Sequence, residues 1–460
     1  MEAASAPPPA AAGGEKSPLK QAITGKLLFF FILGDMLGAG IYALVGEVGA
    51  EVGGAIWTAF LLALLLAVFT AFAYAELVTK FPQAAGAALY VNKAFRLPFL
   101  TFLVAFAVMC SGLTSAATLS TAFAGDYLKE FIDVPTTLAA IVFLLGVSLL
   151  NARGISESVR VNMVLTTIEI GGLLLICIIA LGAIGDSSPG VDTARAFEFK
   201  EGEAASLAVL SGAALAFYAL IGFEDSVNVA EETRDPRRVF PRALFAALAV
   251  GGVVYLAVTM LASMAVPTEK LSGSSGPLLE VAAVGPLSVD PKIFSAIALF
   301  AIANGALLNL IMASRLTFGM SREGIVPGVF AKVLPSWRTP VAAIVFTAAL
   351  CGLLIIIGDL ESLADTTVTL LLCVFILVNV SALWLKRTPV EREHFRAPWI
   401  FPVLGVVVCA VLLARQSADT FLFAGGLMVL GVVLYAISRA ITGPAPIDTQ
   451  KLERVSKQDP

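Results

Sequence analysis

Apolar runs of about 20 residues recur along almost the whole chain, each long enough to cross a ~30 Å hydrocarbon core as a helix. In lipid every backbone polar group needs an internal partner, so such runs fold only as a bundle of spanning helices. No soluble core of 460 residues would hold 58% hydrophobic and 14% charged residues. Twelve spans are expected, near 26–50, 54–79, 98–124, 135–151, 157–182, 205–231, 242–266, 292–319, 340–358, 362–385, 399–415 and 419–439. Residues 1–20, with PPPAAAGG, read as a disordered tail; they lack the apolar core and cleavage site of a signal peptide. One membrane domain over 21–440 and a polar tail over 441–460 complete the layout.

An even number of spans puts both termini on one side. Of the 30 Lys and Arg residues, only Lys129, Arg195, Lys200, Lys270, Lys292 and Arg415 fall on the opposite side, so the termini are expected in the cytoplasm of a cell-membrane protein. None remains for the membrane interior. The five cysteines lie within the runs without paired spacing and read as apolar filler. The only histidine, His394, falls in a polar loop, which excludes a histidine-based metal site or proton relay within the membrane.

The acids sort differently. Asp35 lies nine residues past Lys26, at ~1.5 Å per residue roughly 13 Å deep, and Glu169 lies nine past Arg160. Glu224 and Asp225 also fall inside span six, and Glu76 near the end of span two. Buried acids without a buried base should be protonated or meet a mobile cation, unless they hydrogen-bond to backbone or snorkel, the favoured reading for Glu76. Asp35 stands in GDMLGAGIYALVG (34–46), whose glycines weaken a helix. Span six carries Ile221-Gly222-Phe223 followed by two acids. Breaks in spans one and six, five helices apart and oppositely directed, are the mark of an inverted repeat with a binding site at its centre. The alternative is that these glycines are packing contacts between helices.

At these residues the chain resembles the amino acid–polyamine–organocation (APC) transporters. GDMLGAGIY is similar to their first-helix motif, and FYALIGFEDSVNVAEETRDPRRVFPRA (217–243) to their sixth helix and following loop. ASRLTFGMSREGIVP (313–327) resembles the end of their eighth helix. FRAPWIFPVLGVVVCAVLL resembles the start of the eleventh, especially in the cationic amino acid transporter branch. The resemblance implies an all-α membrane protein of LeuT type: ten helices in two inverted repeats, about 26–182 and 205–385, plus two near 399–439. It implies secondary transport of amino acids or related amines, often proton-driven. It places an α-carboxylate on the backbone N–H groups of Ala39, Gly40 and Ile41. It places an α-amine on the carbonyls of Asp35 or Met36 and of Phe217, Tyr218 and Ile221. Tyr218 stands where relatives close an aromatic over the substrate, with a packing role as the alternative.

Where some proton-coupled relatives carry a fifth-helix lysine, this chain has Glu169 in VNMVLTTIEIGG. A carboxylate can carry the proton itself or help ligate sodium. Asp35 and Glu224 are further candidates for proton coupling, and Asn304 and Asn309 could support either ion or only hydrogen-bond. The loop Glu231–Arg238 fixes topology or forms an inner gate of ion pairs, its prolines 236 and 241 ending one helix and starting the next, with Arg322-Glu323-Gly324 capping span eight similarly. The outer loop 267–291 has room for a short lid helix. The expected partners are a small amino acid or amine and the lipid bilayer, with no nucleic acid and no obligatory protein partner. No cofactor is expected beyond the coupling ion, H+ or Na+. Without a metal cluster, a Ser/His pair or a phosphate loop, an enzyme is not expected. A cationic amine carrier, an exchanger and a non-transporting sensor of the same fold are the competing readings.

Overall fold

The computed structural model describes residues 23–37, 40–82, 86–153, 158–202, 204–322, 326–333, 339–390 and 393–442. Span one is described as α1 (Gly25–Leu37) and α2 (Gly40–Val52), with residues 38 and 39 outside the described residues. The first half continues with α3 (Ile56–Lys80), α4 (Gly86–Phe95), α5 (Pro98–Phe123), α6 (Asp126–Lys129), α7 (Thr136–Arg153), α8 (Ser158–Gly185) and α9 (Ala205–Ala216). The second half comprises α10 (Pro236–Ala265), α11 (Thr268–Ser272), α12 (Pro277–Ala282), α13 (Pro291–Arg322), α14 (Val341–Ile357), α15 (Leu360–Leu385), α16 (Ile400–Leu413) and α17 (Ala418–Thr442). Among the described residues, ten helical stretches are long and apolar enough to cross a membrane; α14 and α16, at 17 and 14 residues, are shorter.

Local chemistry sets several boundaries. Pro98 and Pro236 occupy first-turn positions of α5 and α10, where no N–H is needed. A capping box starts α15: Ser362 N–H donates to Asp359 Oδ1 at 2.8 Å and Asp359 N–H to Ser362 Oγ at 3.2 Å. Pro241, expected to mark a boundary, instead lies inside α10. The short helix α4 was not expected either; its ten residues lie between spans two and three, too few to cross a bilayer. The outer loop folds as two short helices, α11 and α12, that pack on α2. Reciprocal bonds pin it: Asp126 N–H donates to Ser275 Oγ at 2.9 Å, and Ser275 N–H to Asp126 Oδ2 at 2.8 Å.

Burial separates an inner group of helices from a rim. In α1, Leu28, Ile32, Leu33 and Leu37 are all but inaccessible. Leu149 in α7, Val253 in α10 and Leu422 in α17 are 63%, 68% and 74% exposed, the apolar belt that lipid would cover. Glu76 is held as expected of a structural acid. Lys386 Nζ lies 2.7 Å from its Oε2, and Ala397 N–H donates to the same oxygen at 3.1 Å. The bonds tie the stretch before α16 to α3 and α15.

Candidate functional site

Spans one and six meet at their glycines. α1 stops at Leu37 and α2 starts at Gly40, with residues 38 and 39 outside the described residues, so the expected contact at Ala39 is not placed. In span six, α9 ends at Ala216 and tightens into a 3-10 turn over Phe217–Leu220. Ile221 is extended, Gly222 has φ +119°, and a second 3-10 stretch runs over Asp225–Glu232. The break thus opens four residues before the expected Ile221, and the far side of it is 3-10 rather than a second α half-helix.

Glycine permits the crossing. A Cβ on Gly40 would lie 2.5 Å from Ala219 Cα and 2.9 Å from its Cβ. A Cβ on Gly222 would lie 2.7 Å from the backbone carbonyl carbon of Asp35, at a φ that L side chains rarely adopt. A Cβ on Gly34 would overlap Thr166 Oγ1 in α8. Packing and breakage are therefore not alternatives here: the glycines that interrupt the helices also let them touch.

A residue that the sequence reading did not single out fastens the crossing. Tyr255, fully buried in α10, sets its hydroxyl 2.6 Å from the carbonyl oxygen of Met36 and 2.9 Å from that of Ala219. That single O–H lies between one carbonyl of span one and one of span six and can be shared by the two or donated to either. Only the two carbonyls, 36 and 219 residues away in sequence, explain a tyrosine there. Tyr255→Phe leaves both without this donor, a loss of roughly 1–3 kcal/mol for buried groups. Expected is at least a fivefold fall in maximal transport rate with intact membrane insertion, read by initial-rate uptake; an unchanged rate would reduce Tyr255 to packing.

Between the breaks lies a cavity of about 30 Å³, lined by Asp35, Met36, Gly40, Tyr218, Ile221 and Asp225 among others. That is room for ordered water and far less than an amino acid, so a substrate requires it to widen. Tyr218 is anchored across it, its hydroxyl 3.1 Å from Ser115 Oγ in α5. A smaller cavity adjoins, sharing Ser115, Ile221, Asp225 and Asn309 and adding Glu224. Glu224 Oε2 accepts the Gly222 N–H at 2.9 Å and so caps the break. Of the expected contacts, Phe217 packs on Phe375 with ring centroids 5.8 Å apart, and neither it nor Ile41 lines the first cavity. Asp225, a cavity wall that the site assignment from sequence passed over, was visible only as the second of two adjacent acids.

Glu169 stands apart from the cavity wall. Asn162, Thr166 and Glu169 share one face of α8 by their spacing of four and three. That face meets α1: Asn162 Nδ2 lies 3.4 Å from the Phe30 carbonyl oxygen. Asn304 Nδ2 donates to Asn162 Oδ1 at 2.9 Å, so Asn304 acts as a structural bond, while Asn309 lines the cavity. Glu169 is wholly buried, and both carboxyl oxygens are without a hydrogen-bond partner among the described residues. It lies within electrostatic reach of Asp35, Tyr42 and Tyr255. Its backbone carbonyl accepts from the Tyr42 hydroxyl at 3.1 Å, which joins α2 to α8. Of the expected inner gate, Arg238 and Asp235 approach to 3.9 Å on the surface; Glu323 and Gly324, and the side chains of Glu231, Glu232 and Arg322, lie outside the described residues.

An interrupted span six crossing span one at its glycines, over an acid-lined cavity inside an apolar helical bundle, defines a membrane transporter. The chain belongs to the amino acid permease family, whose sequence profile matches residues 24–437. It is 28% identical over 427 residues to the methylthioribose transporter of Bacillus subtilis (strain 168), covering 88% of this chain and 90% of that one. It is 26% identical over 446 residues to the branched-chain amino acid permease BcaP of the same organism, covering 92% and 93%. It is also 26% identical over 403 residues to the low-affinity putrescine importer PlaP of Escherichia coli (strain K12), covering 85% and 86%. The protein is a multi-pass membrane transporter and not an enzyme.

Proposed function

We propose that this transporter imports amino acids or closely related amines by proton symport, through alternating access. The crossing of the two breaks carries the reading: it gathers freed carbonyls, a helix N-terminus and two carboxyls at one place in the bundle. In this reading twelve spans form two inverted repeats, about 26–182 and 205–385, with two helices near 399–439 outside them. They make one LeuT-type domain over 21–440 with both tails cytoplasmic and the cell membrane around it. The N–H groups at the start of α2, Gly40 and Ile41 together with Ala39, hold the substrate carboxylate, as helix N-termini hold anions. Carbonyls at the ends of α1 and α9, from Asp35 or Met36 and from Phe217, Tyr218 and Ile221, take the amine. Tyr218 swings from Ser115 to close the cavity. Glu169 carries the coupling proton, with Asp35 and Glu224 beside the substrate. Sodium at the same carboxyl is the competing coupling.

A second reading, a cationic amine carrier, is favoured by Asp35 and Asp225 both facing a cavity that has no lysine or arginine on its wall among the described residues. Proteoliposomes with an imposed pH gradient and clamped voltage separate the readings, offered labelled leucine, arginine, putrescine and methylthioribose. Gradient-driven leucine or arginine uptake is expected. Uptake of methylthioribose alone would overturn the amino acid assignment, and uptake that depends on sodium at fixed pH would overturn the proton. In the same assay Asp35→Asn, which keeps size and removes charge, should cut uptake at least tenfold or displace its pH profile; an unaltered profile would make Asp35 a packing residue.

A further inference from the structure

A second cavity, larger than those at the crossing, lies outside the transport site. A groove of about 730 Å³ opens where the start of α10 faces the segment before α16. Arg237, Arg238 and Arg242 line it from α10, with Asp235 at the head of that helix, and Glu393 and His394 line it from the other side. Its apolar part is Phe245 and Phe395, ring centroids 5.8 Å apart. Both lie against Phe72 of α3, which stacks on Phe401 of α16 at 3.9 Å. Phe245 and Phe395 thus form an aromatic floor backed by Phe72 and Phe401, with guanidinium groups at the rim.

The position matches the chemistry. Phe72 lies two turns inside α3 from Lys80, so the floor sits deeper in the bundle than the rim at the first turns of α10. Trp399, which precedes α16, is 64% exposed, as an interfacial tryptophan is. Arg238 and Arg242 are exposed, and the approach of Arg238 to Asp235, at 3.9 Å, is loose. An arginine fork matches phosphate oxygens, and a basic pocket between spanning helices suits a charged headgroup. An aromatic floor under that rim suits an acyl chain rather than a soluble anion.

We propose that this groove holds an anionic phospholipid of the adjoining leaflet, its phosphate at Arg238 and Arg242 and its acyl chain over Phe245 and Phe395. Occupancy would bridge α3, α10 and α16, and α10 carries Tyr255, so the lipid would bear on the helix that fastens the two breaks.

Native mass spectrometry of the full chain, offered equal phosphatidylglycerol and phosphatidylcholine, tests it. Wild type should retain one phosphatidylglycerol with about 25-fold preference. Arg238→Gln combined with Arg242→Gln should bring the two lipids near parity while the melting temperature in phosphatidylcholine stays within a few degrees, since each arginine near a surface contributes about a fivefold preference. Absence of preference in wild type, or full preference in the double variant, would overturn the site. A chain ending at residue 442 that gains affinity for phosphatidylglycerol would show the groove to be filled by the protein's own tail and would also overturn it. A second measurement needs no variant of the groove: phosphatidylglycerol brominated in its acyl chain should quench tryptophan fluorescence more than brominated phosphatidylcholine, and Trp399→Phe should remove the difference. Equal quenching by the two lipids would count against the proposal.

Discussion

Replacing Glu169 by Gln is expected to abolish accumulation of substrate against its gradient while leaving exchange across the membrane intact. The glutamine keeps the size of a protonated glutamate and cannot ionise. In the structure both Glu169 oxygens are buried without a partner among the described residues, so an ionised carboxylate would be an uncompensated charge and a protonated one would not. The face that carries Glu169 also carries Asn162 and Thr166, which touch α1. A change of charge there therefore bears directly on how α1 lies against α8. An ion couples to transport only by binding two conformations unequally, and moving a population from 1:99 to 99:1 takes roughly 5.5 kcal/mol of difference. Gain or loss of a buried charge is of that order. The readout is uptake driven by an imposed pH gradient beside counterflow in its absence. Retained gradient-driven accumulation would sink the assignment. Loss of counterflow as well would show that Glu169 serves binding rather than coupling.

The legibility of this chain tracked the range of its interactions. Spans were readable because the bilayer imposes a length and a polarity on each segment independently of its neighbours. The interruption of span six was readable because glycine beside an acid is locally costly in a membrane helix and calls for compensation. The partners could not be read. Nothing near Tyr255 in sequence announces that its hydroxyl reaches two carbonyls 36 and 219 residues away. The same holds for Lys386 and Glu76, separated by 310 residues. The start of the second break also escaped: Phe217–Leu220 has no unusual residue, and its tightening into 3-10 geometry answers the approach of Gly40 to Ala219 from another helix. The short helix α4 was missed because ten residues of mixed polarity carry no membrane signal.

Gly40→Val is expected to eliminate uptake while the protein still inserts and purifies, and the structure supplies a reason beyond the approach of a carboxylate. The first carbon of any side chain at Gly40 would sit 2.5 Å from Ala219 Cα, and backbone cannot rotate out of the way. α2 and the 3-10 turn of span six would have to separate, which bears on Ala219, whose carbonyl Tyr255 holds at 2.9 Å. Overpacking by a single methylene costs about 1–3 kcal/mol, and valine adds three carbons. Gly40→Ala is therefore expected to lose most uptake too, by at least tenfold. Adding Ala219→Gly should restore little, because it removes the contact at 2.9 Å but not the one at 2.5 Å. Gly222→Ala tests the same crossing from the other chain segment: its Cβ would meet Asp35 backbone at 2.7 Å under a φ of +119°, adding roughly 1–3 kcal/mol of strain. If Gly40→Ala transports within twofold of wild type while Gly40→Val is dead, the space that matters at Gly40 is the cavity and not the crossing. If both transport normally, the meeting of the two breaks is not the transport site.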